Sequence, residues 1–297
     1  MKPTLAKPTF TLITGASAGI GKAMAERSAA LGQNLLLVAL PDNGELSSIA
    51  NSLAAKYGIE AYCFPIDLAH SEAPEQIWAW IQHQGFGVNV LINNAGVGAI
   101  GAFENASVAF YQQLIQLNIM ALVKLTHLLL PELKSHPKAH ILNVSSLAAF
   151  FNMPYKIIYA ASKHFVYAFS RALRVELSNT SVSVTVLCPG AVITNPVILE
   201  RVRQVSPWAE NLAWYPEAVA DLAIRQMLRG KAVVIPGLLN RLTIWLSWCL
   251  PTGLRLQILS YLFGRKHSTA PTILPISTHI PIANDKLTES TSPTFNH

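Results

Sequence analysis

The sequence predicts an α/β fold: one doubly wound, parallel sheet of about seven strands with helices on both faces. Three observations predict it. Short apolar runs alternate with segments of helical periodicity through the first 235 residues. Most of these runs are continuously apolar rather than alternating, the pattern of strands whose sheet is covered on both faces. A glycine-rich stretch lies directly between the first strand and the first helix.

The strands read, in order, as "FTLIT" (10–14), "NLLLVAL" (34–40), "EAYCFPI" (60–66), "VNVLIN" (88–93), "AHILNVS" (139–145), "VSVTVLC" (182–188) and "KAVVIP" (231–236). Helical segments fall between them at 20–32, 44–57, 72–84, 107–131, 156–178 and 217–229. Pro216 marks the start of the last one, since proline suits a first helical turn. Strand–helix–strand repetition gives right-handed parallel crossovers and places helices on both faces.

Composition narrows the function classes. The chain has 297 residues, of which 51% are hydrophobic and 13% charged. The charged share is well below the roughly 25% of an average soluble domain, so much of the chain is buried or some surface meets an apolar partner. The net charge of +6 comes from scattered Lys and Arg, with no run dense enough for a nucleic-acid groove. Cys63, Cys188 and Cys249 share no metal-ligand spacing and read as thiols in a reducing compartment. No metal site is expected. The N-terminal apolar run leads straight into glycines and is too short for a signal peptide, so a cytoplasmic protein is expected, with membrane association open through the C-terminal segment.

The stretch "TGASAGIG" (14–21) suits a dinucleotide phosphate. Gly15 permits a tight turn, and Gly19 and Gly21 let backbone approach closely. The helix N-terminus then offers free N–H groups and a partial positive charge. With "NNAG" at 93–96 and "YAASK" at 159–163, this spacing resembles the short-chain dehydrogenase/reductase family over about residues 10 to 236. The resemblance implies a Rossmann-type catalytic domain at 8–236. It also implies a nicotinamide cofactor and interconversion of a secondary alcohol and a ketone.

Tyr159 and Lys163 lie four apart on a helix and share a face. A free phenol titrates near 10, and a neighbouring ammonium favours the phenolate. The resemblance makes Tyr159 the acid/base and Lys163 its partner and a ribose ligand. The family's serine stands thirteen residues before the tyrosine, which selects Ser146 over Ser145. Adjacent strand residues point to opposite faces, so Ser145 reads as structural. Tyr155 fails both tests: the same count back reaches Leu142, and Tyr159 stands where its lysine would be. It reads as a pocket wall, with Phe150, Phe151 and 195–215 as further wall positions. Asn118 matches the family's asparagine, which holds a water in a proton relay. For the cofactor, the resemblance implies Gly15, Ser17, Gly19, Ile20 and Gly21 at the phosphates. It places Asp67 at adenine, Asn94, Ala95 and Gly96 at the ribose, and Pro189, Gly190 and Thr194 beside nicotinamide.

NAD or NADP stays open on the residues. No acid stands at Ala39, and no cation at Leu40 or Ala18. Asp42 is in range of a ribose 2′-OH and would repel a 2′-phosphate; Asn43 and Lys22 are the other local polar groups. The family branch leans to NADP.

The segment 237–265 reads as an apolar helical extension: a substrate cap, a subunit contact or a membrane-surface helix. Asn240, Arg241, Pro251, Gly253 and Arg255 interrupt it, which argues against a span. Residues 266–297, rich in Ser, Thr and Pro, read as disordered. The expected partners are a small apolar, lipid- or steroid-like carbonyl or alcohol substrate and further copies of the chain, with peripheral membrane contact open through 238–263. The rival from another class is a dinucleotide-binding sensor or scaffold without turnover.

Overall fold

Residues 8–41, 44–194, 199, 213–264 and 272–274 are described in a computed structural model. Seven strands form one sheet: β1 (Thr9–Thr14), β2 (Asn34–Ala39), β3 (Ala61–Pro65), β4 (Gly87–Asn93), β6 (Ala139–Val144), β7 (Val182–Leu187) and β8 (Val233–Val234). Their order is β3-β2-β1-β4-β6-β7-β8, and every pairing is parallel. Each run placed on a strand by its sequence supplies one of the seven.

Alternation along a buried strand divides the core in two. On β2, Leu35 and Leu37 point into one cluster, while Leu36 and Val38 point into the other. The first cluster is closed by α1 (Gly19–Ala29), α2 (Glu45–Tyr57) and α7 (Pro216–Leu228), through residues such as Met24, Ile49 and Ile224. The second is closed by α3 (Ala73–Gln84) and α5 (Ala121–Ser135), through Ile77, Ile81, Leu125 and Leu129. α6 (Ile157–Glu176) packs on β7.

The strand order reverses between β1 and β4. There the loops leaving the two carboxyl ends diverge to opposite faces and open a crevice, the place where doubly wound sheets bind ligands. The glycine loop follows β1 and the Asn93–Asn94–Ala95–Gly96 segment follows β4.

Four features depart from the sequence expectation. The long helix expected over 107–131 is two α segments, α4 (Val108–Ile115) and α5, joined by a π turn at Gln116–Met120. It then continues past Pro131, inside α5, to Ser135. Packing of Leu129 and Leu133 on the sheet, both fully buried, outweighs the one backbone bond that proline removes. By length and apolarity Val108–Ser135 would cross a membrane, yet its buried face packs on the domain core. A short strand, β5 (Gly98–Ile100), was not expected. It pairs antiparallel with β9 (Thr272–Leu274), so part of the tail read as disordered forms a strand. The extension forms α8 (Leu238–Trp248) and α9 (Thr252–Gly264).

Candidate active site

The glycine loop is held by contacts a side chain would break. Gly15 and Gly19 have φ of 67° and 55°, the left-handed region that other residues enter at a cost. A Cβ on Gly21 would lie 2.1 Å from the Gly15 carbonyl oxygen. Asn94 fixes the loop from across the crevice: its Nδ2 donates to the carbonyls of Thr14 at 3.0 Å and Gly15 at 3.2 Å. Thr14 Oγ1 accepts from the backbone N–H of both Asn94 and Ala95 at 3.0 Å. Neither a side-chain cap nor an acidic residue occupies the first turn of α1. Its free N–H groups and positive end therefore face the crevice, an arrangement that fits a dinucleotide's phosphates. Ser17 lies in this loop and Ile20, buried, anchors the helix behind it.

The two adjacent serines have different surroundings. Ser145 is buried, and its hydroxyl donates to the Lys163 carbonyl at 2.6 Å. Ser146 caps a short 3-10 helix, Leu147–Phe150, where its Oγ accepts from Ala148 N–H at 3.1 Å. It also hydrogen-bonds Tyr159. Burial pushes the Tyr159 phenol up, and the Ser146 bond offsets part of that rise.

Lys163 is 3% exposed, and its Nζ donates to the Val144 carbonyl at 3.0 Å. Nζ lies 5.9 Å from the Tyr159 ring centroid. Burial brings this ammonium down to about 8, while the neighbouring Cys188 favours the charged form. Cys188 is buried, and burial pushes its thiol up to about 12. Burial is thus the largest influence on both side chains.

Asn118 sits in the π turn, 2% exposed. Its Oδ1 accepts from Val97 N–H and its Nδ2 donates to the Val97 carbonyl, both at 2.9 Å, with Ser162 Oγ at 3.1 Å. The amide is therefore engaged by protein groups. Gly96 lets the parts converge: a Cβ there would lie 3.0 Å from Asn118 Oδ1 and 3.2 Å from Lys163 Nζ.

Other expected residues line the same sheet edge. Asp67, after β3, accepts from Ala69 N–H at 2.8 Å and lies 3.7 Å from His70 Nδ1. Pro189 accepts from Leu147 N–H at 2.9 Å, which ties the serine loop to the Pro189–Gly190 turn. Thr194 is the last residue described before 195–198, so that part of the expected wall lies outside the described residues, as do Asp42 and Asn43. Phe150 packs on Tyr167 at 4.8 Å and is not among the cleft-lining residues.

The sequence marked the Asn93–Gly96 segment but not the partners that hold it. Asn93 donates to Thr126 Oγ1 at 3.1 Å and Asn143 Oδ1 at 2.9 Å, and Asn143 to Ser170 at 2.9 Å. This buried relay braces β4 and β6 against α5 and α6. Polar residues inside apolar runs were its only trace. Asn240 on α8 was also missed: a Cβ on Gly190 would meet its Nδ2 at 2.9 Å.

Beside Tyr159 opens a cleft whose walls include Ala99, Ile100, Phe103, Phe110 and Tyr155. Tyr155 holds φ of 64°, and its carbonyl accepts from Gly101 N–H at 2.8 Å. It is the one non-glycine residue with positive φ among those described, a strain kept at the cleft wall.

A doubly wound sheet with a phosphate-ready glycine loop and a serine, tyrosine and lysine at one sheet edge defines a nicotinamide-dependent oxidoreductase. The chain belongs to the short-chain dehydrogenase family, whose profile matches residues 9–202. A curated relative, the ketoacyl reductase HetN of Nostoc sp. (strain PCC 7120), is 30% identical over 224 residues, 75% of this chain and 77% of the relative. Among solved structures, a short-chain dehydrogenase from Sphingobium yanoikuyae in complex with NADPH matches with TM-score 0.69 and 30% identity, over 83% of this chain and 94% of that one. A family structure from Burkholderia phymatum in complex with NAD matches with TM-score 0.70 and 26% identity, over 81% and 92%. The chain is an NAD(P)-dependent dehydrogenase/reductase acting between an alcohol and a ketone.

Proposed function

We propose that this enzyme reduces an apolar, lipid- or steroid-like ketone, with Ser146, Tyr159, Lys163 and Asn118 as its working residues. The observation that carries this is the convergence of Ser146, Tyr159 and Lys163 beside a cleft with mostly apolar walls. The nicotinamide, when bound, supplies the hydride. Tyr159 gives its phenolic proton to the substrate oxygen. Ser146 donates a hydrogen bond to the same oxygen as charge develops there. Lys163, one helical turn on, favours the phenolate left behind and holds the ribose. Asn118 positions: it locks Val97 and with it the Gly96 passage through which Lys163 reaches the site.

For the cofactor, the α1 N-terminus and Asn94-braced loop would hold the phosphates. Ala95 and Gly96 would line the ribose, Asp67 the adenine, and Pro189, Gly190 and Thr194 the nicotinamide side. No acidic side chain stands at Ala39, Leu40 or Pro41 to select a free 2′-OH. No cation stands at Leu40 or Ala18 to hold a 2′-phosphate either, so the residues do not choose; the NADPH held by the Sphingobium relative supports NADPH and with it the reductive direction. Exposed apolar residues on α4 and α6 such as Ile115 and Phe165 support a homo-oligomer.

A panel of ketones of rising apolarity, each with NADPH and NADH, tests the reading. Bulky apolar ketones with NADPH are expected to give kcat/KM about tenfold or more above small polar ones, given the energy of burying apolar surface. Equal rates across the panel, or turnover with NADH alone, would contradict it.

A further inference from the structure

The C-terminal helices carry an apolar surface that the active site does not use. α8 turns inward a single stripe, Ile244 at 6% and Ser247 at 8% exposure. Other large side chains of α8 face out, with Leu238 81% exposed, Leu242 48% and Trp245 61%. Beyond Pro251, Leu254, Leu256 and Ile258 of α9 are all exposed. Residues two apart on a helix point to opposite sides, so α9 shows apolar groups around its girth. A helix of that kind is at rest in a protein core or in lipid, not in water.

The charges along this stretch of the sequence have one sign. Between Leu222 and Asn284 the chain has seven Lys or Arg residues and no Asp or Glu. Within the helices, Arg241 Nε donates to the Ile235 carbonyl and Arg255 Nη2 to Thr252 Oγ1. Neither arginine meets a carboxylate among the described residues. Two copies joined across this face would bring these unneutralised cations together, whereas a negatively charged surface complements them. Length decides the mode. Helices of 11 and 13 residues are about 17 and 20 Å long, short of the roughly 30 Å of a bilayer core.

We propose that α8 and α9 dock this enzyme on an anionic lipid bilayer, lying in the interface plane. Trp245 and the leucines would enter the headgroup–acyl boundary, with Arg241 and Arg255 on lipid phosphates. Asn240, in the first turn of α8, contacts the Gly190 turn at the sheet edge, so the docked surface and the catalytic edge share one side of the domain. The proposal stands apart from the reaction, because binding is read without turnover.

Flotation of the full-length protein with vesicles tests it, using phosphatidylcholine alone and phosphatidylcholine with about one third phosphatidylglycerol. Bound protein is expected to rise about tenfold with the anionic lipid and to fall as salt is raised. Two variants, Leu242→Ser with Trp245→Ser and Arg241→Gln with Arg255→Gln, should each lose most of that binding. These side chains are mostly at the surface, so circular dichroism should stay unchanged. Absence of flotation on either vesicle, or undiminished flotation of both variants, overturns the proposal. So does a dimer in solution that Leu242→Ser with Trp245→Ser dissociates while neither form floats; that result assigns the surface to a second copy.

Discussion

At the scale of single residues, burial sets the chemistry. Lys163 is brought down to about 8 by desolvation, and Tyr159 is pushed up by the same cause. Ketone reduction needs the phenol protonated, a state present below its raised folded value. It also needs the Lys163 cation, present below about 8 and lost as pH rises through that value. Reduction kcat/KM should therefore be level on the acid side and fall through about pH 8. Alcohol oxidation, which needs the phenolate, should climb only toward the raised value of the Tyr159 phenol, above that window. Initial rates in both directions against pH check this; a reduction rate that rises with pH contradicts it. The spacing of the family's serine and lysine from its tyrosine selected Ser146 over Ser145 and Tyr159 over Tyr155, with strand alternation in agreement for the serines. Desolvation was not legible, since it depends on neighbours distant in sequence such as Val144 and Cys188.

At the scale of elements, the glycine loop is a clamped turn, not a free one. Asn94 reaches 80 positions back to hold the Thr14 carbonyl. Replacing Asn94 with Ala removes two backbone-directed bonds and should cost about 1–3 kcal/mol in stability. It should also weaken NADPH binding about tenfold, because the phosphate-facing N–H groups lose their fixed direction. Chemical denaturation and fluorescence titration measure the two effects; unchanged binding would show that the loop holds its shape unaided. The loop and the strands were legible because glycine placement and apolar runs are local signals. The π turn at Gln116–Met120 was not, and Asn118 within it bonds Val97, a contact 21 positions away that no local signal marks. β5 and β9 escaped notice for a related reason: each is three residues long and forms only by pairing with the other.

At the scale of the whole molecule, the parts meet because the sheet reverses its order between β1 and β4. Loops from β1, β4, β6 and β7 then bring the glycine turn, Gly96, Ser146 and Pro189–Gly190 to one edge, and α6 presents Tyr159 and Lys163 to it. The same edge lies next to α8, which links the catalytic region to an apolar, positively charged surface. The sequence marked that segment as unusual and left three uses open. Exposure of Trp245 and the surrounding leucines, with the cleft beside Tyr159 lined from residues 99 to 159, separates the surface from that cleft. The central claim is that Tyr159 delivers the proton in a nicotinamide-dependent ketone reduction. Its most direct test is NADPH consumption with an accepted ketone by wild type and Tyr159→Phe, with NADPH affinity measured on both. The expected result is a fall in kcat of about 10²- to 10⁴-fold with affinity little changed. A Tyr159→Phe enzyme that turns over at the wild-type rate would contradict the account.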